Sequence, residues 1–301
     1  MTEEELLNSF KNLNRAVYKG GDRAPHKPLL LLLLLSKYLH GHEREILFSE
    51  IDSELTELLR SFGKKTKNDR YNPHNPFFYL RSDGVWDLIS NDADTQRELD
   101  ESNAPRITLF RRDKVFGGLK PDIYQTIIKN RELADRLIGV LLEVFPDSYH
   151  QDILDQVGLD DQTVVRKVRK RDPRFREEII RAYEYQCAIC GFSARLNRDF
   201  IGVEAAHIKW HQADGPDDIS NGIALCSLHH KLFDRGVFTL DDSFRMLVSE
   251  EATGTGLFQH LVTNFHGQVI RQPQRSTYYP DPVFIGWHVR EVFREPAKEL
   301  Q

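Results

Sequence analysis

A chain of 301 residues, 40% hydrophobic and 29% charged, can bury two sizeable cores and has the composition of an ordinary soluble globular protein. A net charge of −5 and a pI of 6.2 exclude a uniformly basic coat for nucleic acid, while leaving room for local basic patches. The acidic start MTEEELLNSF lacks the apolar stretch of a signal peptide. Three cysteines, two of them spaced C-x2-C, suit metal ligation in a reducing cytoplasm better than a disulfide framework.

In chain order, residues 3–18 set Leu6, Leu7, Phe10, Leu13 and Val17 at helical spacing. KGGDRAPHKP then reads as a loop, and Pro28 suits the start of a helix that continues through the leucine run Leu29–Leu35. Seven residues cannot cross a bilayer, so this all-apolar helix is the expected centre of the first domain's core. Residues 47–62 form a second, amphipathic helix. GKKTKNDRYNPHNP is basic, then rich in Asn, Pro and His, and leads into FFYLRSDGVWDLI. There an Asp83-Gly84 turn is expected to join two short strands into a hairpin. Residues 106–112 (RITLFRR) read as another strand, and 121–144 as one or two helices.

Near residue 158 the apolar period fades. Arg166, Lys167, Arg169, Lys170, Arg171, Arg174 and Arg176 follow against one acid, Asp172. The expected organisation is a recognition domain at 1–158, a basic linker at 159–173 and a second domain at 174–301. Arg169, Lys170 and Arg171 are candidate phosphate contacts, each adding salt-dependent affinity. Residues 174–186 form a helix leading into the C-x2-C pair. GVFTLDDSFRMLVS reads as a strand pair and PVFIGWHVREVFRE as a closing helix. Trp287 and His288 on that helix are read as core and cap, and Trp210 and His211 as loop residues that either contact DNA or are merely exposed.

The densest chemistry lies between Cys187 and Asp234. Cys187-x2-Cys190 and Cys226-x2-His229 form two knuckles that supply the four tetrahedral ligands of a structural zinc site, with no cysteine left over. Between them VEAAHI alternates like a strand and ends at His207, Asn221 follows 14 residues later, and His230 comes directly after His229. This order and the pattern EAAHI…SNGIALCSLHHKLFDRG resemble the HNH endonucleases over residues 174–245. The resemblance implies a ββα-metal fold that hydrolyses phosphodiesters. His207 would be the general base, Asn221 the residue that holds its loop, and His230 a ligand of a catalytic Mg2+ or Mn2+. Many HNH enzymes carry an acidic metal ligand directly before the first His. Ala206 stands there in this chain. Glu204 falls on the opposite strand face from His207 if the strand is regular, and Asp234, one turn after His230, could serve instead.

Two earlier loops mix cations, histidine, proline and rings: Arg23-Ala24-Pro25-His26-Lys27-Pro28 and Tyr71 to Tyr79. The arrangement HKPLLLL followed by NPFFYLRSDGVWDL, over residues 8–140, resembles the sulfur-binding domains of phosphorothioate-dependent McrA-type restriction endonucleases. In that family an apolar surface cavity takes the phosphorothioate sulfur while basic and polar groups grip the DNA. The resemblance implies that Arg23, His26, Lys27, Tyr71, Asn75, Pro76 and Tyr79 contact DNA or sulfur. His26 and Lys27 match the cationic pair, and Asn75, Pro76 and Tyr79 match the pocket wall. The expected protein is α+β: a mainly helical N-terminal domain with a small β-hairpin or sheet, then a zinc-stapled HNH domain. Its expected partner is double-stranded phosphorothioated DNA, with no membrane. One HNH site per chain would cut both strands as a homodimer or in two binding events. The alternatives are an HNH enzyme reading a modified base such as 5-methylcytosine, or a non-catalytic DNA-binding protein with a degenerate HNH fold.

Overall fold

The computed structural model describes residues 1–18, 23–63, 71–104, 106–112, 114–159 and 173–300. Of the expected basic linker, residues 160–172 lie outside them, and with these Arg169, Lys170 and Arg171. The chain divides into two compact units, Met1–Val168 and Arg169–Gln301. Among the described residues, no helix is long and apolar enough to cross a membrane.

In the first unit, α1 (Glu3–Lys11) opens on a capping box. The Thr2 hydroxyl accepts from the Glu5 amide, and the Glu5 carboxylate accepts from the Thr2 amide. The helix ends well short of residue 18, because the Asn12 side chain bonds locally to the Asn8 carbonyl and the Asn14 amide donates to Asp83 instead of continuing the helix. Helix α2 (His26–Leu39) carries the leucine run, and none of Leu29 to Leu35 is more than 2% exposed. Four helices enclose it: α3 (Phe48–Phe62), α4 (His74–Tyr79), α8 (Arg131–Leu142) and α9 (Asp147–Val157). That explains why its apolar residues show no polar face.

A three-stranded antiparallel sheet has the order β1 (Ile46–Leu47), β3 (Val115–Leu119), β2 (Trp86–Ser90). Its middle strand runs through Gly117 because a Cβ there would come within 2.2 Å of the Trp86 ring and 2.5 Å of the Phe77 ring. The expected Asp83-Gly84 hairpin is absent. Prolines 73 and 76 sit in and just before the first turn of α4, where a missing N–H costs nothing, so FFYL is helical. Gly84, at φ 73°, then ends a short 3-10 turn. The expected strand at 106–112 is also overturned. It is helix α6 (Ile107–Arg112), which buries Phe110 edge-on against Phe48 and binds Asp52 through Nε and Nη2 of Arg111. Helices α5 (Ala93–Glu101) and α7 (Pro121–Lys129) complete the unit, so 121–142 is two helices.

The second unit is built on the antiparallel pair β6 (Val203–His207) and β7 (Gly222–Cys226), followed by α11 (Ser227–Asp234). Helix α10 (Pro173–Ala182) covers one face of that pair. It stops at Ala182 rather than 186, as Glu184 and Tyr185 take positive φ. A hairpin, β4 (Ala194–Leu196) with β5 (Asp199–Ile201), precedes the pair. The strand pair β8 (Phe238–Leu240) and β9 (Met246–Val248) follows as expected, and α12 (Phe258–Leu261) and α13 (Pro282–Glu291) close the core.

Candidate active site and metal centre

The two knuckles converge. One ligand atom from each of Cys187, Cys190, Cys226 and His229 lies within 4.8 Å of the others. The sulfurs of Cys190 and Cys226 are 4.0 Å apart, and His229 Nδ1 is 3.1 Å from Cys226 and 3.6 Å from Cys187. Ligands around a tetrahedral zinc stand roughly 3.3–3.8 Å from one another, so the cluster could bind zinc after shifts of about 1 Å or less. His229 Nε2–H donates to the Leu261 carbonyl at 2.7 Å, which turns the Nδ1 lone pair toward the sulfurs. Hydrogen bonds from Cys190 and Cys226 hold the Cys187 thiol down to about 3, while the same contact with Cys187 pushes Cys190 up. The cluster thus favours thiolate at one sulfur first, and a bound cation would extend that to all three.

His207 and Asn221 occupy the strand pair and its loop. His207 ends β6 opposite Gly222, on the face covered by α10. A Cβ at 222 would lie 2.2 Å from Ile179, so glycine lets the helix close over the ring. Phe175 of α10 stacks on the His207 imidazole at 4.1 Å and 17°. His207 Nε2–H donates to Asp217 Oδ1 at 2.7 Å. Asn221 is fully buried. Its Oδ1 accepts from the Lys209 amide at 2.8 Å, and its Nδ2 donates to the carbonyls of Lys209 at 3.0 Å and Pro216 at 2.9 Å. These bonds cinch the loop that follows β6, where Gly215 packs so tightly that a Cβ would meet the Lys209 carbonyl at 1.9 Å.

Glu204 points away from His207 by strand alternation, as expected, and meets His230 on α11. Its Oε2 accepts from His230 Nδ1–H at 2.6 Å and its Oε1 from Ser227 at 2.6 Å. The His230 contact holds its carboxyl below the usual range. Asp234 lies 3.5 Å from the other ring nitrogen, Nε2. Glu204 and Asp234 therefore address opposite edges of the His230 ring, and a cation bound at one nitrogen could draw on only one of them. Among the described residues, Cys187, Cys190, Cys226 and His229 form the only cluster of three or more such ligand groups.

His288 is fully buried, bonded to Thr239 at 2.9 Å and the Phe233 carbonyl at 3.1 Å, and stacked on Phe233 at 3.7 Å. Burial pushes its pKa down to about 3, so it is a neutral core group, as the sequence reading has it. Trp210 and His211 are less exposed than expected: Trp210 packs on Trp287 at 5.6 Å, and His211 meets His207 edge-on at 5.8 Å.

In the first unit, Lys27 is buried. Its ammonium sits 2.5 Å from Asp83, side chains 8% and 4% exposed, so its charge is paired within the first unit. His26 and Tyr18 are half-buried, 3.4 Å apart. Arg23 is exposed and bridges back to Val17, which brings it near Arg15. Burial, then repulsion from Arg23, lowers the Arg15 pKa. Neither arginine has a salt bridge among the described residues. Tyr71 and Asn75 are half-buried and Pro76 buried. Tyr79 is 38% exposed with its hydroxyl donating to the Asn103 carbonyl.

Residues 3–162 match the family model of the ScoMcrA-like DNA sulfur-binding domain. The chain belongs to that ScoMcrA-like family. Residues 187–241 match the HNH endonuclease family, within the second unit. The chain is similar to the solved sulfur-binding domain of SprMcrA in complex with phosphorothioated DNA, with 20% identity and a TM-score of 0.43 over 54% of this chain and 97% of that one. It is similar to the corresponding ScoMcrA complex, with 18% identity and a TM-score of 0.41 over 53% and 98%. It also resembles the type IV phosphorothioation-dependent restriction endonuclease ScoMcrA, with 18% identity and a TM-score of 0.40 over 59% and 38%. No curated protein sequence matches the chain. With its HNH domain, this ScoMcrA-like chain thus pairs a DNA sulfur-binding domain with a nuclease domain.

Proposed function

We propose that the protein is a modification-dependent restriction endonuclease that recognises phosphorothioated double-stranded DNA with residues 1–158 and hydrolyses it with residues 174–301. The observation that carries this reading is the junction in one chain of the two family matches, 3–162 and 187–241.

A phosphorothioate sulfur is larger and less hydrated than the oxygen it replaces, so a surface of proline and rings costs it less to enter. The half-buried Tyr71 and Asn75 and the exposed Tyr79 supply such a surface in our reading, with the buried Pro76 beneath them as its wall. Arg15, Arg23 and His26 supply the positive field for the backbone, with Lys27 holding their loop through Asp83. Arg169, Lys170 and Arg171 would add phosphate contacts.

In the nuclease unit, His207 takes a proton from water as the water oxygen bonds to phosphorus. The phosphorus–oxygen bond to the departing sugar oxygen breaks, and that oxygen leaves with the electron pair. Asn221 keeps the His207 loop in place through its three hydrogen bonds. Glu204 and His230 would hold a divalent ion such as Mg2+ or Mn2+, one hard carboxylate oxygen beside one imidazole nitrogen. When bound, that ion supplies charge neutralisation at the phosphate. Asp234 fits an orienting role at Nε2. The Cys3His cluster would hold zinc for structure, apart from the chemistry.

The test compares one duplex in phosphorothioated, 5-methylcytosine and plain forms, first by gel shift and then by cleavage with Mg2+ or Mn2+. Selective binding and cutting of the phosphorothioated form is expected. Preference for the methylated form would favour a base reader, and binding without cutting across several metals a non-catalytic protein.

A further inference from the structure

We propose that Asp217 is the positioning residue of the nuclease base, so that His207 and Asp217 act as a carboxylate–imidazole pair. The inference rests on the reading of His207 as the base and assigns a role to a residue outside the HNH triad. Three sets of contacts carry it. Asp217 Oδ1 is 2.7 Å from His207 Nε2, with the side chains only 20% and 7% exposed, so the pair is weakly screened. Asp217 is itself held. The preceding residue, Pro216, gives its carbonyl to buried Asn221, and Gly215 is wedged against Lys209. The imidazole is held too, by Phe175 across its face and His211 at its edge.

A carboxylate accepting at Nε2 keeps the ring proton there and leaves the lone pair on Nδ1, the nitrogen that takes the proton from water. As that proton arrives the ring becomes imidazolium, and the carboxylate stabilises it. Asn221 then acts on the base through Pro216 and Asp217 as well as through Lys209. Phe175 from α10 and His211 and Asp217 from the loop lie against the ring, and of these three His211 and Asp217 carry titratable side chains.

The experiment uses the full chain in three forms, wild type, Asp217→Asn and Asp217→Glu, and follows the His207 imidazole by NMR across pH. Cleavage of a phosphorothioated duplex is measured in parallel, with His207→Ala as reference. We expect the His207 pKa to fall by about 1–3 units in Asp217→Asn and to recover in part in Asp217→Glu. Cleavage by Asp217→Asn should slow about 100-fold with duplex affinity unchanged, its acid limb moving to lower pH. A His207 pKa that does not move overturns the inference, and so does cleavage by Asp217→Asn at or above the wild-type rate. If Asp217→Asn fails to fold, the same two readouts on Asp217→Ser decide: a lowered His207 pKa with slowed cutting supports the pair, and a variant that changes neither overturns it. Continued cutting by His207→Ala would instead remove the base reading itself. The NMR arm reads the pair without any cleavage.

Discussion

Replacing Asn221 by aspartate exchanges one amide nitrogen for an oxygen and tests how the site is held. The new side chain keeps one oxygen for the Lys209 amide, 2.8 Å away. Its other oxygen faces the carbonyls of Lys209 and Pro216, at 3.0 and 2.9 Å, where the native amide donates twice. Two lost hydrogen bonds cost about 1 kcal/mol each. An ionised carboxylate buried against two carbonyls adds further, for a total of about 3–5 kcal/mol at pH 8. The sign with pH follows from the same geometry. Burial beside acceptors raises the pKa of the new carboxyl in the folded chain above its unfolded value of about 3.9, so the deficit is small below pH 4 and grows as pH rises. Calorimetry of the full chain from pH 4 to 8 measures it, with fluorescence reporting Trp210 beside the loop. A variant as stable as wild type at pH 8, or a deficit that does not change with pH, would refute the role given to Asn221.

Three further outcomes follow from buried groups. Lys27→Met should destabilise the first unit by about 3–5 kcal/mol by stranding Asp83, whereas a purely DNA-contacting lysine would leave the urea midpoint unchanged. His288 binds a proton when unfolded below about pH 6.5. Folded, it does so only near 3, so below 6.5 the wild type should lose about 1.4 kcal/mol per pH unit more than His288→Phe. Denaturant melts at stepped pH give both slopes. Cys226→Ser should lower bound zinc by elemental analysis and lower the melting temperature of the second unit, and chelation of the wild type should do the same.

The leucine helix was legible because a run with no polar side has one solution, a helix enclosed by others. The metal knuckles and the His207–Asn221–His230 order were legible because their spacings are short and local. FFYL and RITLFRR misled, since aromatic and branched residues suit a strand as well as a short buried helix. Proline placement decided the first, and Phe110 packing on Phe48 the second. The Lys27–Asp83 pair was not legible, because the two residues stand 56 positions apart. Asp217 carried no signal, because no period marks which loop acid reaches a histidine ten residues before it. Strand alternation did place Glu204 away from His207, but its partner His230 came only with the fold of α11 over β6.

The central claim is that one end of the chain selects phosphorothioated DNA and the other cuts it. The most direct measurement is a competition in one tube, with phosphorothioated and plain duplexes of identical sequence carrying different fluorophores, the full chain, and Mg2+ or Mn2+. The account predicts that the phosphorothioated duplex is bound and cut first, and that His207→Ala binds it with the same preference without cutting. Equal binding and cutting of the two duplexes would contradict it.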